Sequence, residues 1–339
     1  MNEDNHLEER FCDEWPTGTS PVLMIPFDCI WEKRNGKRVL YKKAGSVVLF
    51  SELNSLLQKG MNLSFEKKVH TPWFYQGQTL LSQLKVYHEQ DTPSPKELQK
   101  WRIDTLNWMN NFVFRLKEDI SFIDFCFLCE QMFGFSDEIL KARFIQFPLE
   151  IQTKNFVAAC TGTLLALSLG YADLGFLREL FKVYMFFDLP ISSQIWSNEE
   201  KELLVRHWRG EVKADELHDH EAFMQRYKGE DDFCLNLKSK ALTKYLSWSF
   251  EDIRGEGYFK GVKECEMSDL DCLSLLIYHY NPTINELTDD LELSVLDVIN
   301  NQNEEFKNRF FAKRLERMLF LSFQKAKAKD DDYIELAGL

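Results

Sequence analysis

The sequence predicts a mainly α protein in which a helical bundle follows a small α+β module. From about residue 95 to about residue 325 apolar residues recur at helical spacing, as at Trp101, Trp108, Phe112 and Leu116, and strand signals are nearly absent. Before residue 70 the pattern is different, with short apolar runs divided by turn residues. The 339 residues are 45% hydrophobic and include 28 Phe, which is ample for a substantial core and too apolar for disorder throughout. Length alone suggests about two domains.

Residues 1–20 are acidic and polar, with Pro16 and Gly18, and read as a disordered lead. The module at 21–75 begins with the runs Val22–Trp31, Arg38–Ala44 and Val47–Phe50. Arg34-Asn35-Gly36-Lys37 separates the first two, and its Asn-Gly pair predicts a hairpin because both residues tolerate positive φ. Ser51 is placed to cap a short helix that Gly60 ends, and Asn62–Lys67 reads as a strand. The stretch Thr71–Pro95 is mixed in character, broken by Pro72, Gly77, Pro93 and Pro95, and opens a helical linker region at 76–145. Ser94-Pro95-Lys96-Glu97 is a capping box with proline at the first helical position. A domain at 146–325 follows, and 326–339, with its Lys-Ala alternation and Asp330-Asp331-Asp332, reads as a tail.

A net charge of −13 argues against a nucleic-acid polymer as the main partner, since that surface needs concentrated Lys and Arg. Eight scattered cysteines in a chain that opens without an apolar signal stretch predict reduced thiols and a cytoplasmic location. Cys126 and Cys129 form a CxxC inside the Phe-rich run Phe122–Phe135, and no second CxxC accompanies them. They read as buried core thiols, because a tetrahedral zinc site needs four ligands. The uncharged stretch Asn155–Ala172 is short for a membrane span and carries polar residues, so a buried helix is expected there and no membrane span. Glu216-Leu217-His218-Asp219-His220-Glu221 has polar neighbours and reads as a solvated loop.

The most informative stretch is Gly255-Glu256-Gly257-Tyr258-Phe259-Lys260-Gly261. Three glycines in seven residues supply the positive φ angles of a tight exposed loop between helices. Upstream lie Met185-Phe186-Phe187-Asp188-Leu189-Pro190 and Ser197-Asn198-Glu199-Glu200, the latter leading to His207. In order and spacing these segments resemble the HD-GYP domains of the HD superfamily, helical bundles that hydrolyse cyclic di-GMP. The glycine loop is similar to that family's GxGYPxG segment, and the resemblance covers about residues 150–300.

That family holds two or three metal ions on His and Asp side chains, and a metal-bound hydroxide attacks the phosphodiester. The resemblance puts Phe187-Asp188 in place of the His-Asp pair and Ser249-Phe250 in place of the paired histidines. It puts Tyr278 at the aspartate of a later helix, Thr153 near the first histidine and Ile191 at a phosphate-contacting lysine. Asp188 and His207 are the matching ligands that remain, and two ligands do not hold a di-metal centre. Glu251 and His279 lie one residue from lost positions, so a small slip would gather Asp188, His207, Glu251 and His279 around one metal, although one residue of slip rotates a helical side chain by about 100°.

The resemblance therefore implies a degenerate HD-type bundle without catalytic residues, metal or cofactor, acting as a signalling protein by binding other proteins. The implied docking loop is Gly255, Gly257, Tyr258, Phe259, Lys260 and Gly261, and diguanylate cyclase domains are the partners the family suggests. The alternatives are a phosphohydrolase with a remodelled mononuclear site and a nucleotide-binding effector without turnover. The N-terminal module is compatible with sensing or with homodimer formation.

Overall fold

The computed structural model describes residues 22–25, 28–49, 52–65 in part, 72–89, 94–114, 122–134, 138–171, 173–188, 197–211 in part, 251–256, 261–280, 295–322 and 324. The protein is mainly helical, and among the described residues its small antiparallel sheets lie in the N-terminal region.

The run Val22–Trp31 contains Pro26, which cannot donate to a ladder, and it forms two strands where one was expected: β1 (Val22–Met24) and β2 (Cys29–Glu32). β2 turns through Asn35 and Gly36 into β3 (Arg38–Lys42), with Gly36 at φ 76° and the Asn35 side chain accepting from Lys37 N at 3.1 Å. β4 (Val47–Leu49) pairs with β1, whereas β5 (Asn62–Phe65) pairs with the other edge of β2, giving a three-stranded order β3-β2-β5. Gly60, at φ 73°, closes the helical turn before β5, where Lys59 N bonds Ser55 O and Met61 N bonds Leu56 O. Ser51, the expected cap of that turn, lies outside the described residues. Ile25, Cys29, Val48 and Leu63 make this module's own small core.

Thr71–Pro95, expected to be broken, contains an 18-residue helix, α1 (Pro72–Glu89). Pro72 stands at the first helical position, where its missing N–H costs nothing. Gly77 is required by packing, since a Cβ there would lie 1.9 Å from the Trp108 ring. That ring belongs to α2 (Pro95–Val113), which starts at the predicted capping box: Ser94 Oγ accepts from Glu97 N at 3.3 Å and Glu97 Oε2 accepts from Ser94 N at 3.2 Å. Two indoles tie α1 to α2 reciprocally, Trp73 Nε1 donating to Trp108 O at 3.1 Å and Trp108 Nε1 to Trp73 O at 3.0 Å. Their rings stack with centroids 4.6 Å apart. Each buried aromatic thereby loses no hydrogen bond.

Helices α3 (Phe122–Phe133) and α4 (Glu138–Ile145) lead to α5 (Leu149–Ser168), the central helix. α5 touches α2, α3 and α6 (Leu174–Met185), together with α7 (Asp269–His279). It is buried along nearly its whole length, and no helix among the described residues is long and apolar enough to cross a membrane. Gly170, at φ 96°, ends it: Tyr171 N bonds Ala166 O and Gly170 N bonds Leu167 O, the paired bonds of a helix that stops at a left-handed glycine. Asp173 then caps α6 by accepting from Phe176 N at 2.7 Å. This short turn makes α5 and α6 antiparallel neighbours, and Gly162 on α5 receives the Tyr184 ring of α6, to which a Cβ would come within 2.3 Å. Among the described residues, helices α8 (Val295–Asn300) and α9 (Glu304–Phe310) and a helix at 313–322 follow. Apolar side chains from Val47 to Leu319 join in one continuous core, which includes those of 76–145.

Candidate functional site

Asp188 lies in the turn that follows α6 and is buried with Phe187. A carboxylate removed from water needs compensating donors at both oxygens. Lys154, one turn into α5, reaches Oδ2 at 3.1 Å, and both side chains are 2% exposed. Tyr278, near the end of α7, donates its hydroxyl to Oδ1 at 2.9 Å. The Lys154 ammonium also sits 4.0 Å above the Tyr278 ring centroid, so the same tyrosine serves the carboxylate through its hydroxyl and the cation through its face. Burial pushes the Lys154 pKa below its ordinary value, against the opposing pull of Asp188.

Aromatic rings wall this triad. Phe187 meets Tyr278 edge-on at 5.2 Å and leans on Tyr184 at 5.0 Å. The Tyr184 hydroxyl in turn shares a hydrogen bond with Ser274 Oγ at 3.1 Å, a second polar link between α6 and α7. On the opposite side Asn155 of α5 donates to Met185 O at 3.2 Å, holding the end of α6 against the central helix. Three elements distant in sequence thus meet at one internal carboxylate. It is buried, ion-paired and hydrogen-bonded.

Positions carried over from the HD-GYP resemblance divide in space. Phe187, Asp188 and Tyr278 come together. His279, one residue beyond Tyr278, stacks instead on Phe310 of α9 at 3.7 Å. Thr153 bonds back to Leu149 O at 2.9 Å within α5. Glu251 is buried next to Asp252. His207, Ile191, Ser249 and Phe250 lie outside the described residues, as does the stretch 216–221. Among the described residues no three His, Cys, Asp or Glu side chains are arranged to hold a metal ion.

The glycine loop is described at its two ends, with Gly257, Tyr258, Phe259 and Lys260 outside the described residues. Gly255 and Gly261 have φ of 79° and 57°, as the three-glycine pattern requires of them. A Cβ at Gly255 would also stand 2.9 Å from Gly261 O, so the ends of the loop approach too closely for any side chain. Arg254 and Lys263 form an antiparallel bridge across the stem. Buried Asp252 organises it: Oδ1 accepts from Arg254 N at 2.9 Å and Glu256 N at 3.1 Å, and Oδ2 takes Arg254 Nη2 at 3.1 Å. Ile253 N bonds Arg309 O at 2.9 Å, fixing the stem to the end of α9.

The cysteines of the CxxC are buried in α3, and a third buried free thiol, Cys160 of α5, is close enough to influence both. Burial raises the Cys126 and Cys129 thiols well above their ordinary value. Sequence reasoning did not find Lys154. The available signal was a cation in the middle of α5's apolar frame, between Ile151 and Ala158, which demands a buried anion elsewhere in the chain. No family model, curated protein or solved structure matches this chain.

Proposed function

We propose that this chain is a catalytically silent, HD-GYP-like signalling protein that acts by binding other proteins in cyclic di-GMP-related regulation. The observation that carries the reading is that both oxygens of buried Asp188 are engaged within the chain, by Lys154 and Tyr278. On the correspondence with that family, Asp188 is one of two metal ligands that remain. The Lys154 ammonium stands against it as a counter-cation built into the chain, and a metal would have to expel a buried lysine to reach it. The side chain of α7 that faces Asp188 is Tyr278, while His279 stacks on Phe310, which disfavours the mononuclear alternative. Function then passes from the interior to the loop at 255–261, whose stem is held by Asp252 and by the Arg254–Lys263 bridge. A partner would be recognised at its tip through Tyr258 and Lys260, with diguanylate cyclase domains the first to test.

Metal analysis of protein purified without chelators, paired with a cyclic di-GMP hydrolysis assay, tests the silent centre. Substoichiometric metal and no turnover are expected, whereas stoichiometric iron or manganese with turnover would overturn the reading. Calorimetry against a purified diguanylate cyclase domain tests the loop, where Tyr258→Ala is expected to abolish the heat of binding. Micromolar binding of cyclic di-GMP itself would move the function back to the interior.

A further inference from the structure

In a chain of net charge −13, residues 33–43 carry six cations (Lys33, Arg34, Lys37, Arg38, Lys42 and Lys43) and no acid. They occupy the β2–β3 hairpin, and β3 is an edge strand whose outer backbone groups face away from the sheet. Among the described residues no carboxylate pairs with Lys33, Arg34, Lys37, Lys42 or Lys43. Lys33 instead lies over the Trp31 ring at 4.9 Å and Lys42 over the Tyr41 ring at 5.6 Å. Leu40, 52% exposed, stands between Arg38 and Lys42. Lysines on an edge strand guard it against foreign strands. That role does not ask for cations at Lys33, Arg34 and Lys37, which belong to the turn.

We infer that this hairpin is a docking surface for an acidic, apolar-studded polypeptide segment, and that its occupant is the chain's own lead, residues 2–15. The lead holds Glu3, Asp4, Glu8, Glu9, Asp13 and Glu14 against a single Arg10, matching the six cations in number. Leu7, Phe11 and Trp15 recur every fourth residue through it, supplying apolar side chains for the exposed Leu40. Position agrees as well. Residues 16–21 tether the lead to β1, a link of up to about 20 Å when extended. β1 leads toward the base of the hairpin: Val22, where the tether joins, pairs with Leu49, and three residues on Ile25 N bonds Ser46 O at 2.9 Å and Gly45 N bonds Ile25 O at 2.8 Å, within a few residues of Lys42 and Lys43. A short tether of this kind gives an effective concentration in the millimolar range, enough for weak ion pairs to add up to occupancy. Charge pairs on an open surface are screened over about 8 Å at physiological salt, so the contact is salt-labile.

Acetylation rates of Lys42 and Lys43, read by mass spectrometry, compare the full chain with a chain lacking residues 2–20. At low salt the full chain is expected to react several-fold more slowly, and at 500 mM salt the two should converge. Replacing Glu8, Glu9, Asp13 and Glu14 by Gln leaves the hairpin's sequence untouched and is expected to remove the protection. A synthetic peptide of residues 2–15 should restore it to the shortened chain. Equal rates with and without the lead would overturn the proposal. So would protection that grows with protein concentration, which would assign the surface to a second copy, or protection seen only with anionic phospholipid vesicles, which would assign it to a membrane.

Discussion

The helical body and the N-terminal module handle charge in opposite ways. In the body two buried carboxylates are matched internally: Asp188 with Lys154 and Tyr278, Asp252 with Arg254 and the loop backbone. In the module a core of four buried residues supports a hairpin in which Lys33, Arg34, Lys37, Lys42 and Lys43 have no carboxylate partner among the described residues. Burial forces this difference, because an unpaired charge inside costs several kcal/mol whereas one in water costs little. Asp188, Lys154 and Asp252 are therefore committed to the fold, whereas the five hairpin cations stand free of such commitments among the described residues.

The sharpest way to break this contrast is to remove a buried partner. Lys154→Met leaves Asp188 enclosed without its cation and is expected to lower stability by about 3–5 kcal/mol, read as a shift in the denaturant midpoint. Lys154→Met combined with Asp188→Leu should recover most of that loss, since a buried pair replaced by apolar groups is often neutral. A single variant as stable as the double would mean that the pair is not closed to water. Next in size is Gly162→Ala, whose new methyl meets the Tyr184 ring. A loss of about 1–3 kcal/mol is expected by thermal or chemical unfolding, because this interface has no room to relax.

Ser94→Ala removes the cap of α2 and should cost about 1 kcal/mol at neutral pH. Hydrogen bonds from the Ser94 side chain and backbone hold the Glu97 carboxyl below its ordinary value. A carboxyl with a lowered folded-state pKa contributes stability above the ordinary value, about 4.3, and loses it as pH falls through the lowered one. The gap between Ser94→Ala and the parent should accordingly narrow in titrations from pH 7 to pH 3. The smallest effect belongs to the hairpin: Arg34→Glu is expected to change stability by no more than about 0.5 kcal/mol, as for surface positions away from special features. A large loss there would show the cations to be structural and erase the distinction between the two regions.

Much of this architecture could be read from local signals. The capping box at Ser94 and Glu97, the Asn35-Gly36 turn and, within the expected stretch Asn155–Ala172, the burial of Asn155–Ser168 each depend on residues within a few positions of one another. Helix α1 was missed because Pro72 and Gly77 are helix breakers by propensity, and only Trp108, 31 residues beyond Gly77, explains the glycine. The site was half legible. Phe187, Asp188 and Tyr278 were picked out and do meet, but the residue that decides their chemistry is Lys154, whose partner lies 34 positions away. Neither periodicity nor motif spacing encodes such a pairing; a lone cation on a buried face states only that an anion must exist. The same limit applies to Cys160, which completes a thiol cluster that the CxxC alone did not suggest.

The stem of the glycine loop has a consequence for how recognition could diversify. Joining Arg254 to Lys263 and crowding Gly255 against Gly261 fixes the ends of the intervening segment, so its loop-closure entropy is lost during folding and not on encounter. A partner meeting the tip then faces a smaller ordering cost than it would on a free segment. The described members of the Asp252 network, Arg254 and Glu256, lie outside residues 257–260, so new specificities could arise by substitution at those four positions on an unchanged base.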